Sequence, residues 1–281
     1  MANAIRLIKS VAAHLKKVYQ WQHPASPRTK RGRFRAICTS YIEREPIRLL
    51  CVLSDMRITS IDPALICEIP YLNAGKRPGD FRVDSLPVHL GFVDALPDGM
   101  SAMIATADLQ GRETFDSSSD RRIRLLGEAL PNLLSQEVIP GLQLGRGRIG
   151  VVLAGDFYTV PELDKRGGSG DVNRVWYAFA NEFDWVVGVA GNHDLFGYAA
   201  KRPRFGRPIH FLDGDIVGVE GLQIAGLSGI PGNPQRPWRR TEDNYIDEVE
   251  QLLSASPDII VTHDGPNVPS AGHRGSSSVR N

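Results

Sequence analysis

At 281 residues, the chain can bury the core of one large domain or of two small ones. Its apolar fraction of 42% and its charged fraction of 23% are ordinary for a soluble globular protein, and its net charge is only +1. No apolar run approaches the ~18 residues that a membrane helix needs, so we expect no membrane span. The three cysteines show no CxxC spacing, so we expect reduced thiols and a cytoplasmic protein.

The first 36 residues form a basic leader that carries nine Lys or Arg and no acidic residue. Apolar residues recur in it at helical spacing and predict an amphipathic helix: Ile8, Val11, Leu15 and Val18. The basic, proline-containing stretch that follows predicts a linker. Such a leader fits a transit peptide, a membrane-surface helix or a nucleic-acid contact, but a simple solvated or docking helix is favoured. Residues 37–97 follow without a clear assignment.

Further along the chain, short apolar runs alternate with segments of helical periodicity. The runs at 103–107, 149–154 and 185–190 predict buried strands, and the segments between them predict helices. Pro131 is expected to kink or divide the first helix, and Asp171 is expected to cap the second. Right-handed crossovers make the three strands parallel, so their carboxyl ends should share one edge of a sheet.

A second group of elements is predicted after a Pro- and Arg-rich loop. Short apolar runs predict a hairpin with Asp213–Gly214 as its turn signal. Thr241 is expected to cap a helix that ends near residue 253. Residues 258–262 predict another buried strand, which stops at His263.

Hard metal ligands follow the predicted strands where each apolar run stops. Gly155–Asp156 closes the second run, and the Gly-Asn-His-Asp sequence at 191–194 closes the third. In open α/β sheets ligands bind at the carboxyl ends of strands, and oxygen and imidazole donors suit Mn, Fe, Zn or Mg. The sequence therefore predicts a metal site, with these strand-end residues in chain order: Asp108, Gln110, Asp156, Asn192, His193 and His263.

This order of residues resembles the calcineurin-like metallophosphoesterase family over about residues 100–265. The family pattern runs Asp-x-His, Gly-Asp, Gly-Asn-His-Asp/Glu, a later His and a final Gly-His-x-His. The resemblance implies an α/β fold of four layers, α/β/β/α, with two mixed sheets facing each other. It also implies metal-dependent hydrolysis of a phosphomonoester, a phosphodiester or a nucleotide phosphoanhydride. The expected organisation is the leader at 1–36, the unassigned segment at 37–97 and a metallophosphoesterase domain at 98–281.

The resemblance also implies a role for each strand-end residue. Two divalent ions, with Mn favoured over Fe, Zn or Mg, would share Asp156 as a bridge, and a hydroxide between them would attack phosphorus. Asp108 would bind the first ion, and Asn192 and His263 the second. His193 would stabilise the transition state or protonate the leaving oxygen, and Asp194 would orient that imidazole. The partner would be a phosphorylated small molecule or a nucleotide; a nucleic acid is an open alternative that is not favoured.

The sequence departs from the family pattern in two places. Gln110 stands where the family has a histidine ligand, and its neutral amide oxygen would favour Mn or Mg over Zn. The closing Gly-His-x-His is absent, because the Gly-His-Arg-Gly at 272–275 has only His273, which is expected to be a loop residue. We therefore expect a truncated sequence that lacks a ligand to each metal, and a sandwich that is incomplete at its C-terminus.

Two other function classes stay open. A catalytically silent protein of the same fold would bind a partner or nucleic acid and hold no metal ion or one. A nucleotide-binding oxidoreductase would use Gly145–Gly150, which matches GxGxxG but precedes a predicted strand instead of following one. Asp55 competes with Asp108 as a ligand and is not favoured. The basic segments 201–207 and 236–240 would meet anionic groups or stay solvated, and the solvated interpretation is favoured.

Overall fold

A computed structural model of the protein describes residues 3–8, 56–75, 77, 80–113, 124–165, 167–198 and 201–265. These residues form a mixed α/β structure whose strands are β1 Asn3–Ile8, β2 Ile58–Ala74, β3 Phe81–Val93, β4 Met100–Thr106, β5 Arg112–Glu113, β6 Arg148–Leu153, β7 Gly170–Asp171, β8 Trp185–Gly188, β9 Asp194–Leu195, β10 Ile209–Phe211, β11 Asp215–Val219, β12 Leu222–Leu227, β13 Ile230–Pro231, β14 Arg239–Arg240 and β15 Ile259–Thr262. The α-helices are α1 Leu126–Leu133, α2 Asn173–Glu182 and α3 Glu242–Ser254. No helix in these ranges has both the length and the apolar character needed to cross a bilayer.

Two sheets of more than two strands organise the structure. The larger has eight strands in the order β10-β8-β6-β4-β1-β3-β2-β5, and the smaller has the order β11-β12-β15. Within the larger sheet β4, β6, β8 and β10 pair in parallel, as the sequence predicts for the first three of them. In the smaller sheet β11 and β12 form an antiparallel hairpin, and β15 pairs in parallel with β12. Both sheets are therefore mixed.

Both faces of the larger sheet are buried in its parallel part, β4, β6 and β8, which explains why these strands are continuous apolar runs. On one face, Ile104 of β4 and Val151 of β6 share a core with α1 and α2. On the other face, the next residues Ala105 and Val152 share a core with residues of the smaller sheet, including Ile224. The far side of the smaller sheet is covered by α3 through Tyr245, Val249 and Leu252.

For residues 3–8 only, a strand replaces the predicted start of the leader helix. Residues 3–8 pair antiparallel with β3, and Arg6 and Leu7 also pair in parallel with β4. Two neighbouring strands offer these residues backbone partners on both sides, and such tertiary pairing can outweigh a local preference for a helix. The rest of the leader, the strand-like run at 47–53 and Asp55 lie outside the described residues.

The segment that the sequence left unassigned is a long antiparallel hairpin of β2 and β3. Pro70 and Pro87 lie within the paired strands, and Pro63 lies where the register shifts between Ile61 and Leu65. Prolines are tolerated at bulges and on weakly paired strands, because fewer ladder hydrogen bonds are lost there.

Helix α1 and the β11–β12 hairpin also correct details of the sequence analysis. Pro131 lies inside α1 without ending it, and the irregularity comes later, as a π-helical turn at Leu134–Val138. The hairpin is present, but its two turn residues are Glu220 and Gly221, both with positive φ, and not Asp213–Gly214. This pair of left-handed residues fits the twist of a two-residue hairpin turn.

Two predicted helix starts are close to those observed. Helix α3 begins after Thr241, whose Oγ1 accepts the main-chain N–H of Asn244, as predicted for its cap. Helix α2 begins at Asn173, and the carboxylate of Asp171 accepts the N–H of that first residue at 2.9 Å. Both side chains satisfy N–H groups that the first helical turn leaves without intrahelical partners.

Candidate metal centre

Three strand ends on one edge of the larger sheet and one from the smaller sheet form the candidate site. Asp108 follows β4, Asp156 follows β6 and Asn192 follows β8, and these three strands are parallel neighbours. His263 comes directly after β15 of the smaller sheet. The core shared by the two sheets brings the end of β15 over the end of β6. The predicted convergence of strand ends is therefore observed for Asp108, Asp156 and His263.

Asp108, Asp156 and His263 lie close enough to bind one metal ion. One carboxylate oxygen from each aspartate and one imidazole nitrogen all lie within 4.8 Å of one another. Oδ2 of Asp156 is 3.3 Å from Nε2 of His263. Asp156 and His263 are buried, whereas Asp108 is exposed, so the cluster opens to solvent on the Asp108 side.

The glycines that precede these residues allow the two loops to touch. Gly155 has a φ of 87°, and a Cβ on it would overlap the backbone of Gly191. A Cβ on Gly191 would in turn overlap the carboxylate and the main-chain nitrogen of Asp156. Glycine is therefore required at both positions because the two backbones approach each other closely. The Gly-Asp and Gly-Asn sequences do more than end a strand. Asp108 and Asp156 also have positive φ values, of 54° and 60°.

The carboxylate of Asp156 is held by its neighbours. Oδ1 accepts the main-chain N–H of His193 at 3.0 Å, and Oδ2 accepts the side-chain amide of Gln110 at 3.1 Å. Burial is the largest influence on Asp156 and raises its pKa, but the charge and hydrogen bond of His263 and the charge and N–H of His193 together outweigh burial and hold the pKa below its usual value. Gln110 is therefore beside the cluster, where its amide nitrogen faces Asp156; its role as a metal ligand stays a prediction.

His263 has the orientation of a metal-binding histidine. Its Nδ1 donates to the main-chain oxygen of Ala154 at 2.8 Å, because a carbonyl can only accept, and this leaves Nε2 to face the two aspartates. Metal-ligating histidines commonly donate their second ring N–H to such a carbonyl. Burial lowers the pKa of His263, but the charges of Asp156 and Asp108 outweigh it and raise the pKa to about 10.

Asp194 has a different role from the predicted one. Its Oδ2 accepts the N–H groups of Asp156 and Gly191 at 2.8 Å, and its Oδ1 accepts that of Phe157 at 2.8 Å. Burial, with the nearby charge of Asp156, raises the pKa of Asp194 to about 6, and the N–H groups oppose this shift. Nδ1 of His193 is buried and has no hydrogen-bond partner among the described residues. The prediction that Asp194 orients His193 is therefore wrong, because both carboxylate oxygens are directed to the backbone.

His193 and Asn192 lie on the loop that passes over Asp156. Both are half-buried, and the N–H of His193 fixes this loop to the carboxylate of Asp156. The glycine-containing segment before β7 approaches the imidazole, since a Cβ on Gly167 would lie 3.7 Å from its Cε1. Nothing in the described contacts tests Asn192 as a ligand, so that role stays a prediction.

Two features of the site were missed by the sequence analysis. Trp238 donates from Nε1 to the main-chain oxygen of Asp194 at 2.6 Å, which ties a distant loop to the site. Arg240 is mostly buried, binds the carboxylates of Asp213 and Glu248, and donates to the main-chain oxygen of Ser228. The solvated interpretation of the 236–240 segment is therefore wrong for Arg240. The two acidic partners of Arg240 are 35 residues apart in the sequence, so no local pattern predicted this network.

Two other candidates give no support to alternative sites. Gly145–Gly150 leads into β6, and no helix starts on it, so the segment lacks the strand–turn–helix context of a dinucleotide site. His273 lies outside the described residues.

A scan against protein-family models found no match for the chain, and a search of curated proteins found none either.

Proposed function

We propose that the chain is a metal-dependent phosphoesterase of the calcineurin-like type, which hydrolyses a phosphomonoester, a phosphodiester or a nucleotide phosphoanhydride. The observation that carries this proposal is the convergence of Asp108, Asp156 and His263 from three separate strand ends, with donor atoms within 4.8 Å of one another. Convergent, partly buried titratable groups at the carboxyl ends of parallel strands are typical of functional sites.

The packing of the elements is compatible with the four-layer sandwich of that family. Helices α1 and α2 cover one face of the larger sheet, the smaller sheet covers the other, and α3 covers the outer face of the smaller sheet. This sequence of layers is α/β/β/α. We therefore propose the metallophosphoesterase sandwich as the finer description of the mixed α/β structure.

The donor set fits a divalent cation of the Mn class. Asp108 and Asp156 supply carboxylate oxygens, and His263 supplies Nε2 with its tautomer fixed by Ala154. A mixed oxygen and nitrogen set suits Mn, Fe, Zn or Mg, and rotation of the Gln110 amide would add a hard oxygen donor that favours Mn or Mg. Divalent ions bound here would polarise phosphoryl oxygens and lower the pKa of water, and a pair of ions needs Asn192 as a further ligand.

The residues around these donors would position the substrate. His193 lies next to the carboxylate of Asp156, with its backbone fixed there, and its ring carries a buried Nδ1 that has no partner among the described residues. Because Nδ1 is closed to solvent, Nε2 is the ring nitrogen that would meet a substrate oxygen or the leaving group. We propose that His193 donates a proton to the leaving oxygen or hydrogen-bonds the phosphoryl group as negative charge develops on it.

The experiment compares the hydrolysis of bis-p-nitrophenyl phosphate and of nucleotides by the full chain in Mn, Mg and Zn. We expect activity with Mn, and loss of at least about a hundredfold in the Asp156→Asn variant, because this carboxylate lies at the centre of the cluster. Asp247→Asn is the matched control, since Asp247 is an exposed carboxylate on α3. Wild-type turnover equal to that of Asp156→Asn would refute the proposal.

Metal content separates the enzyme from a silent scaffold of the same fold. After dialysis against Mn, the enzyme proposal requires about two ions per chain and predicts that chelation abolishes turnover. A chain that binds no ion or one ion and turns over no substrate would instead be a silent binding protein. Metal analysis of the same samples used for the kinetic assay gives this result directly.

A further inference from the structure

Two segments near the candidate site carry only positive charge. Residues 196–212 contain one Lys and three Arg, residues 228–240 contain three Arg, and neither segment contains an acidic residue. The chain as a whole is nearly neutral, with 33 basic and 32 acidic residues. The two segments together carry seven basic residues and no acidic residue. Positive charge is therefore concentrated in them.

Only two of the seven cations are neutralised by ion pairs among the described residues. Arg202 pairs with Asp215, and Arg240 pairs with Asp213 and Glu248. The other five form no ion pair within the described ranges, and all but the last are exposed: Lys201, Arg204, Arg207, Arg236 and Arg239. The main-chain oxygen of Pro208 accepts the N–H of Val186, so Arg207 lies at the amino end of the parallel strands, away from the candidate metal centre. The other four residues are called the basic surface below. Arg207 lies close enough to His210 for its charge to help burial lower the pKa of that imidazole.

Aromatic packing joins both segments to the loop that leaves the candidate metal centre. Phe196, three residues after His193, contacts Phe205 with ring centroids 5.9 Å apart and Trp238 with centroids 6.0 Å apart. Arg204 therefore adjoins an aromatic ring that packs on this loop. Trp238, which Arg239 follows, also donates to the main-chain oxygen of Asp194 at 2.6 Å. The two basic segments thus meet on residues 194–196, next to His193.

We propose that the basic surface binds phosphate groups of the substrate other than the one that is hydrolysed, so that the substrate is a phosphate chain and not a simple monoester. This proposal rests on the proposed function, because it assigns the candidate metal centre to the reacting phosphate. Guanidinium groups match phosphate oxygens in charge and in paired hydrogen-bond geometry. A single phosphate at the metal centre would leave the four cations of the basic surface without a counter-charge, whereas a chain of phosphates would neutralise them.

The test measures binding without catalysis. Metal-free full-length protein carrying Asp156→Asn is titrated with inorganic phosphate, inorganic tripolyphosphate and a fluorescein-labelled ten-residue oligothymidylate. We expect tripolyphosphate to bind at least about tenfold more tightly than phosphate, and its affinity to fall as salt rises. Adding Arg204→Ala and Arg236→Ala should weaken tripolyphosphate binding about tenfold, since each exposed pair with an anion contributes about three- to fivefold.

A control pair removes the same charge elsewhere. Arg77→Ala with Arg146→Ala changes two exposed arginines, one in the β2–β3 turn and one before the start of β6. β2 is far from β10 in the strand order, and Arg146 precedes the amino end of β6, so this pair should bind tripolyphosphate as the parent does. Equal affinities for phosphate and tripolyphosphate, or equal losses in the two double variants, would overturn the proposal.

The oligothymidylate separates the two sources of a phosphate chain. Tighter binding than tripolyphosphate, with a salt slope that falls by about 0.7 for each arginine removed, indicates a nucleic-acid strand. Weaker binding indicates a nucleotide polyphosphate. The phosphoesterase proposal fails separately: absence of Mn-dependent hydrolysis by the wild type would refute it and leave the binding result intact. If the wild type hydrolyses substrate with Mn but tripolyphosphate binds no more tightly than phosphate, only the proposal for the basic surface is refuted.

Discussion

The carboxylate of Asp194 accepts the main-chain N–H of Asp156 at 2.8 Å, and so the last residue of Gly-Asn-His-Asp holds the backbone of the Gly-Asp sequence. The same oxygen accepts the N–H of Gly191, and the other oxygen accepts that of Phe157. One fully buried carboxylate thus joins the loop after β6 to the loop after β8. Because Asp156 is central to the candidate metal centre, Asp194 is a positioning residue for it.

The Asp194→Asn variant should lose both stability and metal affinity. The substitution replaces one acceptor oxygen by an amide NH₂ that faces N–H donors, and we expect a loss of about 2–4 kcal/mol in the free energy of unfolding. Displacement of Asp156 should also weaken Mn binding by about 10- to 100-fold. Urea unfolding and Mn titration calorimetry measure the two effects.

A matched variant separates positioning from general stability. Asp184 accepts the N–H of Ile149 at 2.7 Å, at the opposite end of the same two strands. Asp184→Asn should reduce stability by about 1 kcal/mol and leave Mn affinity unchanged. If Asp194→Asn also retains wild-type Mn affinity, Asp194 has a purely structural role.

Gly191→Ala should disturb the metal centre by direct overlap. Its Cβ would occupy the space of the Asp156 carboxylate, so Asp156 must move or the loop must open. We expect a loss of about 1–3 kcal/mol in stability and a clear loss of Mn affinity. Gly145→Ala is the control, because a Cβ there meets nothing within 4 Å. Equal Mn affinities for the two variants would show that the loop adjusts without moving Asp156.

Mn binding should release one proton from His263. Because the pKa of His263 is raised to about 10, the metal-free protein carries this proton at pH 7, and a metal must displace it from Nε2. Affinity should therefore rise with pH, by up to about tenfold per unit, until the pH reaches the pKa. Calorimetry in buffers of different ionisation enthalpy should give about one proton per chain for the wild type and none for His263→Gln. Heats that do not depend on the buffer would contradict this protonation state.

The sequence predicted the convergence of the candidate donors because each follows a buried strand. Three parallel strands alternating with helices bring their carboxyl ends to one edge by local rules, so Asp108 and Asp156 could be placed together without knowledge of distant contacts. His263 was found by the same signal, although its strand belongs to the other sheet. Four consecutive apolar or β-branched residues before His263 favour a buried strand, and the structure has that strand.

The remaining contacts depend on tertiary structure. Asp194 looked like a partner of the adjacent His193, yet it binds three N–H groups, two of them 37 and 38 residues away. Likewise, residues 3–8 pair between β3 and β4 where the sequence predicted the start of a helix. Neither long-range hydrogen bonds nor strand neighbours leave a periodic trace in the sequence, so local pattern reasoning could not find them.

Arg240→Ala should be strongly destabilising. Its guanidinium, 19% exposed, joins Asp213 on the loop after β10 to Glu248 on α3 and to the main-chain oxygen of Ser228. Removal leaves two carboxylates without their cation, and we expect a loss of about 3–5 kcal/mol in the free energy of unfolding. Arg202→Ala, which breaks a more exposed pair, should cost less than about 1 kcal/mol. Similar losses in the two variants would show that burial does not strengthen the Arg240 network.

Trp238→Phe isolates a single hydrogen bond to the site. Phenylalanine can retain the ring contacts with Phe196 and Phe211, but it lacks the indole N–H that donates to the main-chain oxygen of Asp194. We expect a stability loss of about 1–2 kcal/mol by thermal unfolding, of which the hydrogen bond contributes about 1 kcal/mol. The comparison is Trp185→Phe, because Nε1 of Trp185 is buried without a partner in the described part of the chain. The Trp185→Phe variant loses ring area but no hydrogen bond. We therefore expect its Mn-dependent turnover to fall less than that of Trp238→Phe. If both variants reduce Mn-dependent turnover equally, the bond from Trp238 does not position the His193 loop.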